Sequence, residues 1–143
     1  MHIFMKLLMI VAAFLGLSAF GQERRYEPGQ VWEYQTRPQD AGSLVRIQRI
    51  EKQGDHDVFH VSMVGVSIEG LAGKALPHLP VSRETLDGSV TRLSTADTAF
   101  PDPSEGIAAW RDAEGGVFTI PLGEIADIVE EMVERERAAE PKS

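Results

Sequence analysis

Beyond its first 25 residues, the chain opens with three runs of alternating apolar and polar positions and closes with one long run of helical periodicity. From Val31 to Thr36, Trp32, Tyr34 and Thr36 share a face opposite Glu33 and Gln35, which predicts a strand. Tyr26 to Gln30 precedes it as an entry turn centred on Pro28-Gly29, and Pro38 to Gly42 follows as a loop. Ser43 to Lys52 predicts a second strand. Its apolar phase moves from Val45 and Ile47 to Ile50, which calls for a bulge near Gln48. Gln53 to His56 reads as a hairpin turn and Asp57 to Ile68 as a third strand. There Phe59, Val61 and Met63 give way to Val64, Val66 and Ile68, and Gly65 at the phase change predicts a bulge or bend. Together the three segments predict an antiparallel meander.

The second half predicts helices. Glu69 to Pro80 reads as a loop, with Gly70, Gly73 and two prolines. Ser82 caps a short helix carrying Leu86, Val90 and Leu93 on one side, weakened at Gly88 by about 1 kcal/mol relative to alanine. Pro101 to Ser104 starts a second helix with Ile107 and Trp110 three apart, and Glu114-Gly115-Gly116 stops it. Val117 to Ile120 predicts a short strand, and Thr119 is placed to cap a helix beginning near Pro121. On that last helix Ile125, Ile128, Val129, Met132 and Val133 form an apolar stripe, with Glu131 and Arg135 a favourable pair on the polar side. These elements predict one α+β domain over residues 22–137, followed by a disordered tail over 138–143. Three or four strands should form a small, mostly antiparallel sheet, with two or three helices packed on one of its faces.

The first 21 residues change the picture. Lys6 is the one charge before Glu23, Leu7 to Phe20 is apolar or small throughout, and Ala19-Phe20-Gly21 ends in small-x-small. That is the layout of a secretory signal cleaved after Gly21. Retention as a membrane anchor is the alternative, since the run counted from Ile3 with Lys6 tolerated is 18 residues, close to the ~20 that a span needs. The expected location is the periplasm or the exterior.

Composition narrows the chemistry. Of 143 residues 43% are hydrophobic and 25% charged, which suits a folded globular chain. There is no cysteine, which excludes disulfides, thiolate nucleophiles, thiolate-bound zinc and iron–sulfur clusters. Without the signal, 13 basic residues stand against 22 acidic ones, a net charge of −9. Such a domain repels nucleic-acid phosphates and anionic lipid. A basic envelope or extracellular protein is the compatible macromolecular partner, and a membrane only if the signal stays.

Catalytic motifs are thin. His56 and His60 stand at i, i+4, but on a strand that spacing puts their Cα atoms about 13 Å apart, too far for one zinc. On that strand His60 and Ser62 should face solvent or a covering loop. Gly65-Val66-Ser67-Ile68-Glu69-Gly70 resembles a nucleophile elbow with its second glycine one residue late. Asp97, Asp102 and Glu105 lack calcium-loop spacing. No phosphate-binding or dinucleotide fingerprint is present. No catalytic residue, metal or cofactor is expected. The least ordinary stretch is Pro77-His78-Leu79-Pro80-Val81-Ser82, where two prolines stiffen the backbone around a histidine just before a helix. It reads either as a recognition residue beside free helix N–H groups or as a stiff crossover plugging the core.

Gly29-Gln30-Val31-Trp32-Glu33-Tyr34-Gln35-Thr36-Arg37-Pro38 resembles the opening of a group of small exported bacterial proteins without an established activity. Pro77 to Ser82, Ser89-Val90-Thr91 and Gly116 to Ile120 fit the same group. The resemblance spans most of the chain after the signal and carries no catalytic residues over. It implies Trp32, Arg37, His78 and Trp110 as binding residues to test. The function expected from all of this is non-catalytic: a binding protein of the inhibitor or immunity type in the cell envelope. The alternatives are a small hydrolase or metal-dependent enzyme using His78 or His60, and a structural envelope protein tethered by an uncleaved signal.

Overall fold

A computed structural model describes residues 24–141. The signal and its cleavage point, and with them the tethered alternative, lie outside the described residues. None of the described helices is long and apolar enough to cross a membrane.

Five antiparallel-paired strands form one sheet, in the order β4-β3-β2-β1-β5. They are β1 (Val31–Tyr34), β2 (Leu44–Gln53), β3 (His56–Val64), β4 (Ala75–Val81) and β5 (Val90–Leu93). The helices among the described residues are α1 (Arg83–Asp87), α2 (Ser104–Asp112) and α3 (Leu122–Ala139). The class is α+β, as the sequence predicts, with five strands in place of three or four.

The meander β1-β2-β3 forms as its periodicity demands. Gly29, at φ 93°, makes the Pro28-Gly29 turn and donates its N–H to Ile47 O at 2.7 Å. The β2–β3 register slips between Ile47 and Arg49, so Gln48 is the bulged residue and Ile47 and Ile50 both reach the core. Gly65, at φ 75°, ends β3, and a Cβ there would stand 3.2 Å from Ser43 Cα. Val66 and Ile68 then re-enter the core from the loop that follows.

The two further strands correct the sequence reading. Ala75–Val81, expected within a loop, is an edge strand whose backbone tolerates Pro77 and Pro80 because one side of it needs no ladder partner. Part of that outer side is covered, since Phe118 donates to Pro80 O and Ser82 donates to Phe118 O. The expected strand at Val117 to Ile120 thereby reduces to one parallel bridge, Val81 to Phe118. Ser82 does cap α1, accepting from the Thr85 N–H, but the helix stops at Asp87 and Val90 to Leu93 run on as β5 beside β1.

One face of the sheet holds the main core. Trp32, Tyr34, Val45, Ile47, Phe59, Val61, Met63, Leu79 and Val81 meet Leu86 of α1 and Leu122, Ile125 and Ala126 of α3. Each large side chain so buried contributes about 1.5–3 kcal/mol. Thr119 does not cap α3. The Leu122 N–H is satisfied instead by Ser89 Oγ at 2.9 Å, a partner 33 residues away. Ile128 and Met132 of the expected stripe stay exposed, because the sheet is reached by Leu122, Ile125, Ala126, Val129 and Val133. The helix also continues through Ala138 and Ala139, which were expected in the tail.

The helices divide between the faces. Ser94 to Pro103 runs back across the opposite side of the sheet, where Gln48 Nε2 donates to Pro101 O. It delivers α2 onto the face of β3 that bears Val58, His60 and Ser62, all buried.

Candidate functional site

That second face is polar and closed. Alternation along β3 sends Phe59, Val61 and Met63 one way and His60 and Ser62 the other. In the ladder His60 stands opposite Arg49 on β2 and Pro80 on β4. His60 is fully buried, so the expectation that it faces solvent or a loop is corrected: it faces α2. Ser62 is likewise buried, donating to Pro77 O at 2.6 Å and accepting from Gln48 Nε2.

The two histidines that looked unrelated in the sequence meet here. His60 Nδ1 lies 2.8 Å from His78 Nε2, and His60 Nε2 contacts Glu51 Oε1. The ring centroids are 5.0 Å apart, close to the bond length plus the two ring radii, so the imidazoles meet end to end rather than face to face. Arg111 of α2 closes the chain, donating to both oxygens of Glu51 at 3.1 and 3.2 Å. The Trp110 ring stands edge-on to His60 at 4.9 Å, its indole N–H held by Gly116 O at 2.9 Å. Gly106 lets α2 come this close, since a Cβ on it would stand 2.5 Å from His78 Cβ.

Electrostatics fix the protons. Burial pushes the Glu51 carboxyl up, but hydrogen bonds from His60 and Arg111 together hold it below its ordinary range. Burial pulls His60 down against the pull of Glu51. Burial and the neighbouring His60 lower His78 to about 4. At neutral pH the carboxylate is therefore charged and both rings are neutral. His60 Nε2–H then donates to Glu51, and His78 Nε2–H donates to His60 Nδ1. His78 Nδ1 has no hydrogen-bond partner among the described residues and lies beside Gly106 of α2. Among the described residues, Arg46 Nε is the one buried side-chain polar atom without a partner.

Two clefts flank this region. One, about 490 Å³, opens on Glu51, Lys52, Trp110, Arg111 and Glu114. The other, about 700 Å³, lies between the β2–β3 turn and α1. Exposed Asp55, Glu84 and Asp87 and half-buried Asp57 line it together with Val58, Val117 and Arg83, which pairs with Asp57 at 3.5 Å.

The four residues singled out by the sequence fall into three places. His78 and Trp110 join the array just described. Trp32 lies in the main core, its indole N–H on Gln30 Oε1 at 3.1 Å and its ring edge-on to Tyr26. Arg37 is buried in an ion cluster that ties the β1–β2 loop to α3. It bonds Asp40 at 2.7 and 3.2 Å and reaches Asp127 and Glu130 at 3.2 Å. Bonding to Asp40 raises the affinity of Arg37 for its proton, against the opposing effect of burial. Glu51, Arg111 and Gln48 did not stand out in the sequence. Their only local signal is the bulge at Gln48, which rotates β2 so that Glu51 faces the same side as His60.

The described residues contain no group of three or more histidine or carboxylate side chains placed to hold a metal. No family model matches this chain, and neither a curated protein nor a solved structure does.

Proposed function

We propose that the protein is an exported, non-catalytic binding protein of the bacterial envelope, of the inhibitor or immunity type, whose partner is a basic protein. The acid-lined cleft between the β2–β3 turn and α1 carries this reading. Four carboxylates, Asp55, Asp57, Glu84 and Asp87, outnumber its one arginine, Arg83, and Val58 and Val117 share the lining, a setting that suits a lysine or arginine with its aliphatic stem. Complementary charge speeds encounter and selects partners, and its effect falls with salt. Affinity capture from the native envelope at low and high salt tests the reading. One stoichiometric basic protein should bind at low salt, elute as salt rises, and fail to bind the Asp55→Lys, Glu84→Lys double variant. Absence of a stoichiometric protein at either salt overturns the proposal.

A second reading, a small hydrolase or metal-dependent enzyme using His78 or His60, draws support from the 2.8 Å contact between the two rings. Glu51 behind His60 orients the pair and leaves His78 Nδ1 as a proton acceptor. It requires a hydrolytic activity that His78→Ala abolishes while the fold, followed by circular dichroism, is kept.

A further inference from the structure

We propose that His60 Nδ1 and His78 Nε2 form a two-coordinate site for a soft monovalent cation, copper(I) or silver(I), with Glu51 orienting His60 from behind. Such ions take two nitrogen donors in line, and these imidazoles already face each other end to end. A zinc ion wants four ligands, and the described residues offer no third one. Glu51 supplies what a metal-binding histidine usually has, a carboxylate on its other ring nitrogen.

The ion replaces the proton that now lies between the rings. His78, a half-buried ring, gives up its Nε2 proton to water and takes one from water at Nδ1. Both rings stay neutral, no proton is lost overall, and the added positive charge faces the Glu51 carboxylate through His60. Two metal–nitrogen bonds of roughly 2 Å in line need the nitrogens about 4 Å apart, about 1 Å wider than the hydrogen bond. His78 is the ring that yields, since it is half-buried on an edge strand while His60 is sealed on the central part of β3. The site shares no residue with the acid cleft, so it stands or falls independently of the basic partner.

The test is a silver(I) titration of the protein in the form that accumulates in an exporting host, followed by Trp110 emission and by imidazole nitrogen resonances. A complex of one ion per chain is expected, with the His60 Nδ1 and His78 Nε2 signals moving and His60 Nε2 remaining protonated. His78→Gln should weaken binding at least tenfold, and Glu51→Gln about tenfold. Met132→Leu removes the exposed thioether and should change nothing. Unmoved His60 and His78 resonances in the unmodified chain overturn the site whatever the variants do. So does affinity that follows Met132, or zinc(II) displacing silver(I) at equal concentration.

Discussion

The two faces of the sheet are both buried where they meet β3, and they are held by different physics. On the face under α1 and α3, Phe59, Val61 and Met63 belong to a continuous apolar cluster. Its stabilisation scales with area removed from water and asks of each residue chiefly size and shape. On the face under α2, His60 and Ser62 are as deeply buried, yet each depends on named partners: Glu51 and His78 for one, Gln48 and Pro77 for the other. There the stabilisation lies in avoiding unpaired polar atoms. One strand thus carries a face that tolerates conservative exchange and a face that does not.

The largest test of that contrast is on the apolar side. Phe59→Ala should lower unfolding free energy by about 3–5 kcal/mol in urea titration, through lost transfer energy and the cavity left behind. Phe59→Leu should cost much less. Comparable costs for the two would mean that this face, like the polar one, depends on specific contacts rather than on buried area.

Acid should act on the polar side. His78 in the folded metal-free chain titrates at about 4 against an ordinary 6.5, and His60 is shifted in the same direction. Above pH 6.5 these rings are neutral folded or unfolded, so their contribution is complete. As pH falls from 6.5 towards 4 the unfolded chain binds protons that the folded chain refuses, and stability drops, by at most about 3 kcal/mol from His78. Unfolding curves across that range should show the slope in the unmodified chain and much less of it in His78→Gln. A flat profile between pH 6.5 and 4.5 would break the assignment of neutral rings.

A smaller effect sharpens the role of the α2 contact. Gly106→Ala places a methyl 2.5 Å from His78 Cβ and should cost about 1–3 kcal/mol. The expected signature is a selective shift of the His78 and Trp110 resonances with the main core unmoved. The smallest effect belongs to neither face. Met132→Lys, at a position 53% exposed on α3, should stay within about 0.5 kcal/mol.

Much of the apolar face is legible in the sequence. Alternation in Trp32 and Tyr34, the phase change at Gln48, the break at Gly65 and the stripe from Ile125 to Val133 are local patterns that burial on one side imposes. The Ser82 cap and the Glu131–Arg135 pair, at 3.6 Å, are also local and also present. The polar face left no such trace. A histidine alternating with phenylalanine and valine reads as solvent-facing until a helix from 50 residues downstream is laid over it. Val90 and Leu93 fit a helix stripe by spacing, and pairing with β1 made them a strand. Pro77 and Pro80 argue for a loop, and an edge position removed the objection.

By itself, then, the sequence determined the meander, its turns and bulge, the last helix and the acidic balance, because each arises from neighbours within a few residues. Tertiary structure alone decided which edges β4 and β5 occupy, which side of β3 is sealed by α2, and that His60 meets His78 across 18 residues of chain. The reason is physical: periodicity records that a face is buried only when that face is apolar. A buried polar face is specified by partners that the local chain does not contain.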